Sequence, residues 1–279
     1  MNSTNPIYRP KPVLYVALVI LSILWLFPVF FIAVTAFRTL PDIMTRGLFT
    51  LPERIAWENF SEAWNIGNMG TYVYNSLFAC ILSAPGATFV SLLCAFALSR
   101  MGFKYGKIVY FILVCAMMVP PFTVIIPQVM VLNSFNLLNT RTGLLLSYIS
   151  GGVPFCTFLM YGYLRSIPRE IDESALIDGC SDIRRFATII TPLAVPIIAT
   201  TLILNFLSDW NDYLFALVIL RTEPIRTIPL GLINFSDRFG IQYHLLAMGV
   251  LIATIPVTIV YLALQKYFIA GLTAGAVKG

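Results

Sequence analysis

Six long apolar runs limit what this chain can fold into. They cover roughly 13–37, 72–98, 108–131, 143–164, 194–220 and 245–268. A helix needs about 20 apolar residues to cross about 30 Å of hydrocarbon. Strands of a transmembrane barrel would be about 10 residues long and alternating; these runs are too long and too uniformly apolar. The chain is 58% hydrophobic and 11% charged, whereas soluble domains are about 45–50% apolar and about 25% charged. The expectation is an all-α, polytopic membrane protein: six transmembrane helices in one domain over 1–279.

Charge sets the expected topology. The net charge of +5 calls for no nucleic-acid partner, because most of the bases flank spans, where topology signals act. With the N-terminus in the cytoplasm, inside segments carry eleven bases and outside segments seven. The link between the second and third spans holds Arg100, Lys104 and Lys107 with no acid, while 37–71 mixes bases with Asp42, Glu53, Glu58 and Glu62. Both termini are therefore expected in the cytoplasm, as tails 1–12 and 269–279. The second tail, IAGLTAGAVKG, reads as extended or flexible from its Gly and Ala content. The first run follows Arg9 and Lys11 but is too long for a secretory signal core and lacks a cleavage site, so it reads as an uncleaved anchor. The outer segments 38–70 and 221–244 are too short for an independent domain. The cysteines Cys80, Cys94, Cys115, Cys156 and Cys180 lack metal-ligand spacing and read as small apolar fillers.

Proline lies in or beside every span, at Pro28, Pro85, Pro120, Pro121, Pro127, Pro154, Pro196 and Pro256. Each interior proline removes a backbone hydrogen bond and kinks its helix, which favours a protein with moving helices. In the fifth span Asn205, Ser208, Asp209 and Asp212 fall at i, i+3, i+4 and i+7 and form one polar stripe. A carboxylate at a helix centre costs roughly 2.5–3.5 kcal/mol on insertion scales, so such residues face a cavity or a partner. Ser147, Ser150, Thr157 and Tyr161 repeat the spacing in the fourth span, and Thr254, Thr258, Tyr261 and Gln265 in the sixth. Two readings stay open for these stripes: hydrogen-bonding seams between helices, or a hydrated route in which carboxylates and amides meet a hydroxylated solute.

Between the fourth and fifth spans lies the charged segment ESALIDGCSDIRRFATIITP, from Glu173 to Pro192. Ser166, Ile167 and Pro168 suit a helix start with proline in the first turn. Glu170, Asp172 and Glu173 then complement the positive end of the helix dipole. Gly179 suits a left-handed C-terminal cap. Ser181 can cap a second helix, with Asp182 in its first turn. Ile183, Phe186, Ile189 and Ile190 share roughly one face, and the helix is expected to end before Pro192. Amphipathic helices that rest on lipid are usually rich in Lys and Arg; this first helix is acidic. Ile171, Ala175 and Asp178 share a flank, and Leu176 and Ile177 need covering, which favours a groove on a partner protein.

Glu173, Ala175, Gly179, Ile189 and Pro192 resemble the Glu-Ala-Ala, three residues, Gly, nine residues, Ile-x-Leu-Pro pattern of ABC importer permeases. Ser174 stands for the second Ala and Thr191 for the Leu. WNDYLFAL from Trp210 and the ending GLTAGAVKG resemble the maltose-type carbohydrate permeases. The resemblance implies a bacterial inner-membrane permease whose segment at about 166–191 is a cytoplasmic coupling helix. Glu173, Ser174, Ala175, Asp178 and Gly179 would meet a cytoplasmic ATPase dimer. It also implies a second permease subunit, an external solute-binding protein and a sugar-like solute. The chain contains no G-x-x-x-x-G-K-[ST] phosphate loop, so no nucleotide or other cofactor is expected in it. Asn205, Asp209, Asn211, Asp212 and Tyr161 are the candidates for the translocation pathway. The alternative is an ion-coupled secondary transporter that relays ions through Asp209 and Asp212, which leaves the charged segment without a purpose. A membrane-embedded enzyme is weaker still, since no metal cluster or Ser–His pair can be assembled around His244, the one histidine.

Overall fold

The computed structural model describes residues 12–237 and 240–276. Among the described residues the regular structure is helical apart from a two-residue antiparallel pair, Ser236–Asp237 with Gly240–Ile241. It divides into two compact units, Met1–Gly67 with Phe235–Ile252, and Asn68–Asn234 with Ala253–Gly279.

The first unit begins with α1 (Pro12–Ala36), apolar on every side and buried only at Thr35 and Ala36. A helix without a polar face has no reason to seek water and suits lipid. The chain after it is tied into a knot. Arg38, fully buried, donates to the Asp42 carboxylate at 2.8 Å and to the carbonyls of Asp42, Gly47 and Leu48 at 3.0, 2.8 and 3.1 Å. Asp42 lies in α2 (Leu40–Arg46), whose N-cap Thr39 accepts from the Asp42 amide. Asn59, in α3 (Glu58–Ser61), donates to the carbonyls of Ala36 and Arg38, both at 2.8 Å. The stretch 38–67 is thus a folded structure rather than a loose connection.

The second unit is organised by α4 (Met69–Arg100), which packs against α7 (Arg141–Ser166) and α11 (Val195–Trp210). The buried positions of α4 include Ser76, Ala79, Cys80, Ser83, Ala84, Ala87, Thr88, Ser91 and Ala95. Such a stripe of small residues lets helix backbones approach closely, as membrane packing requires. Gly152 serves the same end on α7: a Cβ there would lie 2.5 Å from Asn205 Oδ1. Apolar clusters flank this seam. One gathers Ala79, Leu144, Tyr148, Ala216 and Ile219, and the other Leu92, Phe96, Met160, Leu164 and Ile190.

Four helices, α1, α4, α7 and the final α14 (Tyr243–Ala276), are long and apolar enough to cross a membrane, and counting two bent pairs as one span each gives six. The first of these bends falls at the proline pair that the sequence marks as a kink. The third run splits into α5 (Gly106–Met117) and α6 (Pro121–Ser134), 106° apart. Consecutive Pro120 and Pro121 supply no N–H, and Pro120 sits in extended backbone at ψ 133°. The fifth run stops at Trp210 and resumes as α12 (Leu214–Ile219). The Asp212 carboxylate accepts from the amides of Phe215 and Ala216 at 3.3 and 2.9 Å and so caps the new helix.

The C-terminal tail, expected to be extended or flexible from 269, continues α14 to Ala276. Alanine favours helix, and adding turns to an existing helix avoids the nucleation cost. The N-terminal tail, up to Pro12, and residues 277–279 lie outside the described residues.

Candidate functional site

The charged segment forms α8 (Glu170–Ile177), a turn, and α9 (Asp182–Arg185). Pro168 lies two residues before α8 rather than in its first turn, because Ile167 leaves α7 with extended ψ 130°. At the other end Gly179 has φ +74°, its amide bonds the Leu176 carbonyl at 3.0 Å, and the Cys180 amide reaches the Ala175 carbonyl at 2.9 Å. This pair of bonds around a left-handed residue is the Schellman cap that satisfies the last carbonyls of a helix. A Cβ at Gly179 would meet nothing within 4 Å, so its φ, and not space, calls for glycine. Ser181 caps α9 by accepting from the Arg184 amide at 3.4 Å.

The second helix does not end before Pro192. It passes through a π turn (Phe186–Ile190) into α10 (Thr191–Leu193), and the chain bends by 76° at Ala194. The wider turn absorbs the missing N–H of Pro192: the amide of Thr191 bonds five residues back to Phe186, and its hydroxyl bonds the same carbonyl at 2.8 Å.

Glu173, Ser174, Asp178 and Gly179 are exposed, while Ala175 is buried. Ala175 and Asp178, expected on one flank, therefore separate. Three large apolar side chains in this segment stand open: Leu176, Ile177 and Ile183 at 51%, 86% and 82% exposure. A face that mixes carboxylates with open aliphatic side chains is chemically matched to a protein groove.

Beneath that face lies a junction that sequence reasoning missed. Asp172 is buried beside two buried arginines, Arg100 and Arg185. The first turn of α8 offers three acids at similar spacing, and nothing local says which one turns inward.

The polar stripe of the fifth span is a second assembly. Asn205 is buried, 3.0 Å from Cys156 Sγ and 3.5 Å from Thr88 Oγ1. Asp209 accepts a hydrogen bond from Ser83 on α4. Asp212 accepts from Tyr148 Oη on α7 at 2.9 Å, besides capping α12. These three residues are thus drawn into one seam among α4, α7 and α11. The other two pathway candidates lie apart from it. Asn211 is exposed and bonds back to the Leu207 carbonyl at 2.7 Å. The Tyr161 ring lies 4.3 Å from that of Tyr110 on α5, with the Arg165 guanidinium 5.7 Å away. Ser83, Thr88, Tyr148 and Cys156 were not singled out as seam partners of Asn205, Asp209 and Asp212, since partners 49–126 positions away leave no local pattern. Among the described residues no group of three or more His, Cys, Asp or Glu could hold a metal ion.

Membrane helices packed around a polar seam, with one exposed polar segment between two of them, define a multi-pass transport component. The chain belongs to the family of binding-protein-dependent transport system inner membrane components, whose model matches residues 87–273. It is similar to the melibiose/raffinose/stachyose import permease protein MelC of Bacillus subtilis (strain 168), 34% identical over 90% of this chain and 91% of that protein. It is also similar to the probable starch degradation products transport system permease protein AmyC of Thermoanaerobacterium thermosulfurigenes, 35% identical over 93% of this chain and 94% of that one. The sulfoquinovosyl glycerol transport system permease protein SmoH of Agrobacterium fabrum is 29% identical over 98% of this chain and 95% of that one. A crystal structure of a bacterial ABC transporter that imports the acidic polysaccharide alginate contains a chain matching at TM-score 0.80 and 25% identity, covering 94% of this chain and 99% of that one. The chain is an ABC importer permease of the inner membrane. The ion-coupled alternative finds no support in these relatives, and Asp209 and Asp212 are both engaged by protein donors.

Proposed function

We propose that this permease carries a sugar or sugar derivative by alternating access, driven by ATP hydrolysis in a separate cytoplasmic ATPase dimer. The observation that carries the reading is the open, acid-rich face of α8 with its uncovered Leu176, Ile177 and Ile183. Glu173 and Asp178 offer carboxylates to cationic side chains of the ATPase. The small Ser174 and buried Ala175 let the docking helix lie close to its neighbours, and Gly179 sets the turn. Both termini lie in the cytoplasm, the whole chain works as one permease domain, and it holds no cofactor of its own. The further partners are a second permease subunit and an external solute-binding protein. Sugar cargo is supported by the names of the relatives MelC, AmyC and SmoH. In the pathway, Asn211 and the free oxygen of Asp209 face the solute, Asp212 and Asn205 hold the wall behind them, and Tyr161 lines the route nearer α5.

The test is recovery of the tagged chain from native membranes. The unaltered chain is expected to bring down an ATPase and a second permease. Gly179→Pro forces φ to about −65° where the turn needs +74°. It should leave the chain in the membrane but cut the recovered ATPase at least about tenfold, a loss of about 1.4 kcal/mol. Recovery of ATPase at the unaltered level by this variant would sink the coupling role of the segment.

A further inference from the structure

Of the eight residues in α8, only Asp172 and Ala175 are buried. Ala175 supplies a methyl group. The principal anchor of this helix is therefore a carboxylate, an unusual choice, because Asp is rarely buried unless paired. Its partners come from three directions. Arg100, the last residue of α4, donates to Asp172 and, through its other terminal nitrogen, to the carbonyls of Leu164 and Ile167. Those carbonyls lie at the end of α7, where that of Leu164 otherwise accepts only from the cap amide of Ile167 at 3.2 Å. Arg185 of α9 has Nε 3.5 Å from the second Asp172 oxygen, a charge contact in which neither atom makes a hydrogen bond, Nη2 2.8 Å from Asp182, and its guanidinium 5.5 Å from the Phe96 ring of α4. Through Arg100 the carboxylate thus ties α8 to the ends of α4 and α7, with the charge of Arg185 on α9 beside it.

Stability alone does not call for this arrangement, since buried ion clusters can often be replaced by apolar side chains without loss. What the planar Arg100 guanidinium adds is a fixed geometry: one terminal nitrogen holds Asp172 while the other holds the carbonyls at the end of α7, whereas an apolar contact lets a short helix slide. We infer that the Arg100–Asp172–Arg185 junction is a positioning device that locks α8 to α4 and α7, so that force on its docking face turns the membrane helices instead of displacing α8. The inference rests on the transport reading above, since it needs an ATPase to supply the force.

The experiment uses the complete complex in native-lipid vesicles. Native cysteines are replaced and Ser208→Cys, at an exposed position of α11 beside the polar seam, serves as a reporter. A membrane-impermeant maleimide measures its labelling rate before and after ATP-vanadate trapping. In this parent, trapping should change the rate about fivefold or more, the lower end of ordinary coupling. Adding Asp172→Asn should reduce that change to under about twofold, with ATPase recovered in the parental ratio, and Asp172→Glu should restore at least half of it. A merely structural role would lower the number of complexes and leave the response of each unchanged. The parental response in Asp172→Asn overturns the proposal and leaves the transport reading standing. A parent that recovers its ATPase but does not respond to trapping overturns both. Should Asp172→Asn fail to accumulate, Arg100→Lys, which keeps the charge but cannot hold Asp172 and the α7 carbonyls with one planar group, replaces it and is held to the same thresholds.

Discussion

Arg38 and Arg100 are both buried, both paired with an aspartate and both bonded to backbone carbonyls, yet they organise their units differently. Arg38 reaches partners 4, 9 and 10 positions away in the chain. Arg100 reaches partners 64, 67 and 72 positions away. The first can form as soon as its own segment folds. The second exists only once α4, α7 and α8 have come together. The same chemistry therefore makes a local staple in one place and an assembled joint in the other. Only the joint can report on, or transmit, the relative placement of helices.

The comparison breaks most readily at Arg38. Arg38→Met keeps much of the apolar stem but removes the donors to the Gly47 and Leu48 carbonyls and to Asp42. Leaving the buried Asp42 without its Arg38 donors costs about 1–3 kcal/mol or more, so a loss on the order of 3 kcal/mol is expected. Because the staple is local, the damage should stay local: limited proteolysis should cut within 38–67 while the α8 segment keeps its unaltered resistance. Cleavage of α8 at the same rate would show that the staple supports more than its own segment.

Acid should act more mildly and with the same locality. The Arg38 hydrogen bond holds the Asp42 carboxyl below its ordinary range, outweighing the burial that would raise it, and the charges of Arg38 and Arg46 add to the lowering. Its folded pKa lies below its unfolded value, so its contribution is complete above the unfolded value and is lost as pH falls through the folded one. Hydrogen exchange in 38–67 should therefore begin to rise only below about pH 4. A rise that begins near neutral pH would assign the loss to another group.

The two clamps also differ in how far the sequence exposes them. Run length and composition suffice for the helical class, since nothing but helices fits six apolar stretches of that size. Gly179 and Ser181 were legible because caps are local: the left-handed turn and the hydroxyl that accepts from Arg184 depend on bonds three to five positions long. Asp172 was not legible, because Glu170 and Glu173 have the same chemistry and remain exposed; the choice among them is made by Arg100, 72 positions earlier. Pro120 was legible as a kink, because proline interrupts a helix wherever it falls. Asp212 was read only as part of a polar stripe, although a carboxylate that can cap α12 is enough to begin a new helix. Pro192 erred the other way, since a π turn supplied a pattern in which its missing N–H costs little.

The smallest expected effect sharpens the comparison within the joint itself. Asp182 also pairs with Arg185, at 2.8 Å, but its side chain is half exposed where that of Asp172 is almost wholly buried. Exposed pairs contribute about 0.2–1 kcal/mol, screened by salt. Asp182→Asn should therefore lower thermal stability by about 1 kcal/mol or less and leave the vanadate-dependent labelling response at its parental value. If Asp182→Asn abolished that response as fully as Asp172→Asn, charge near Arg185 would matter more than burial. The joint would then act through its net electrostatics instead of the fixed geometry that sets it apart from the Arg38 staple.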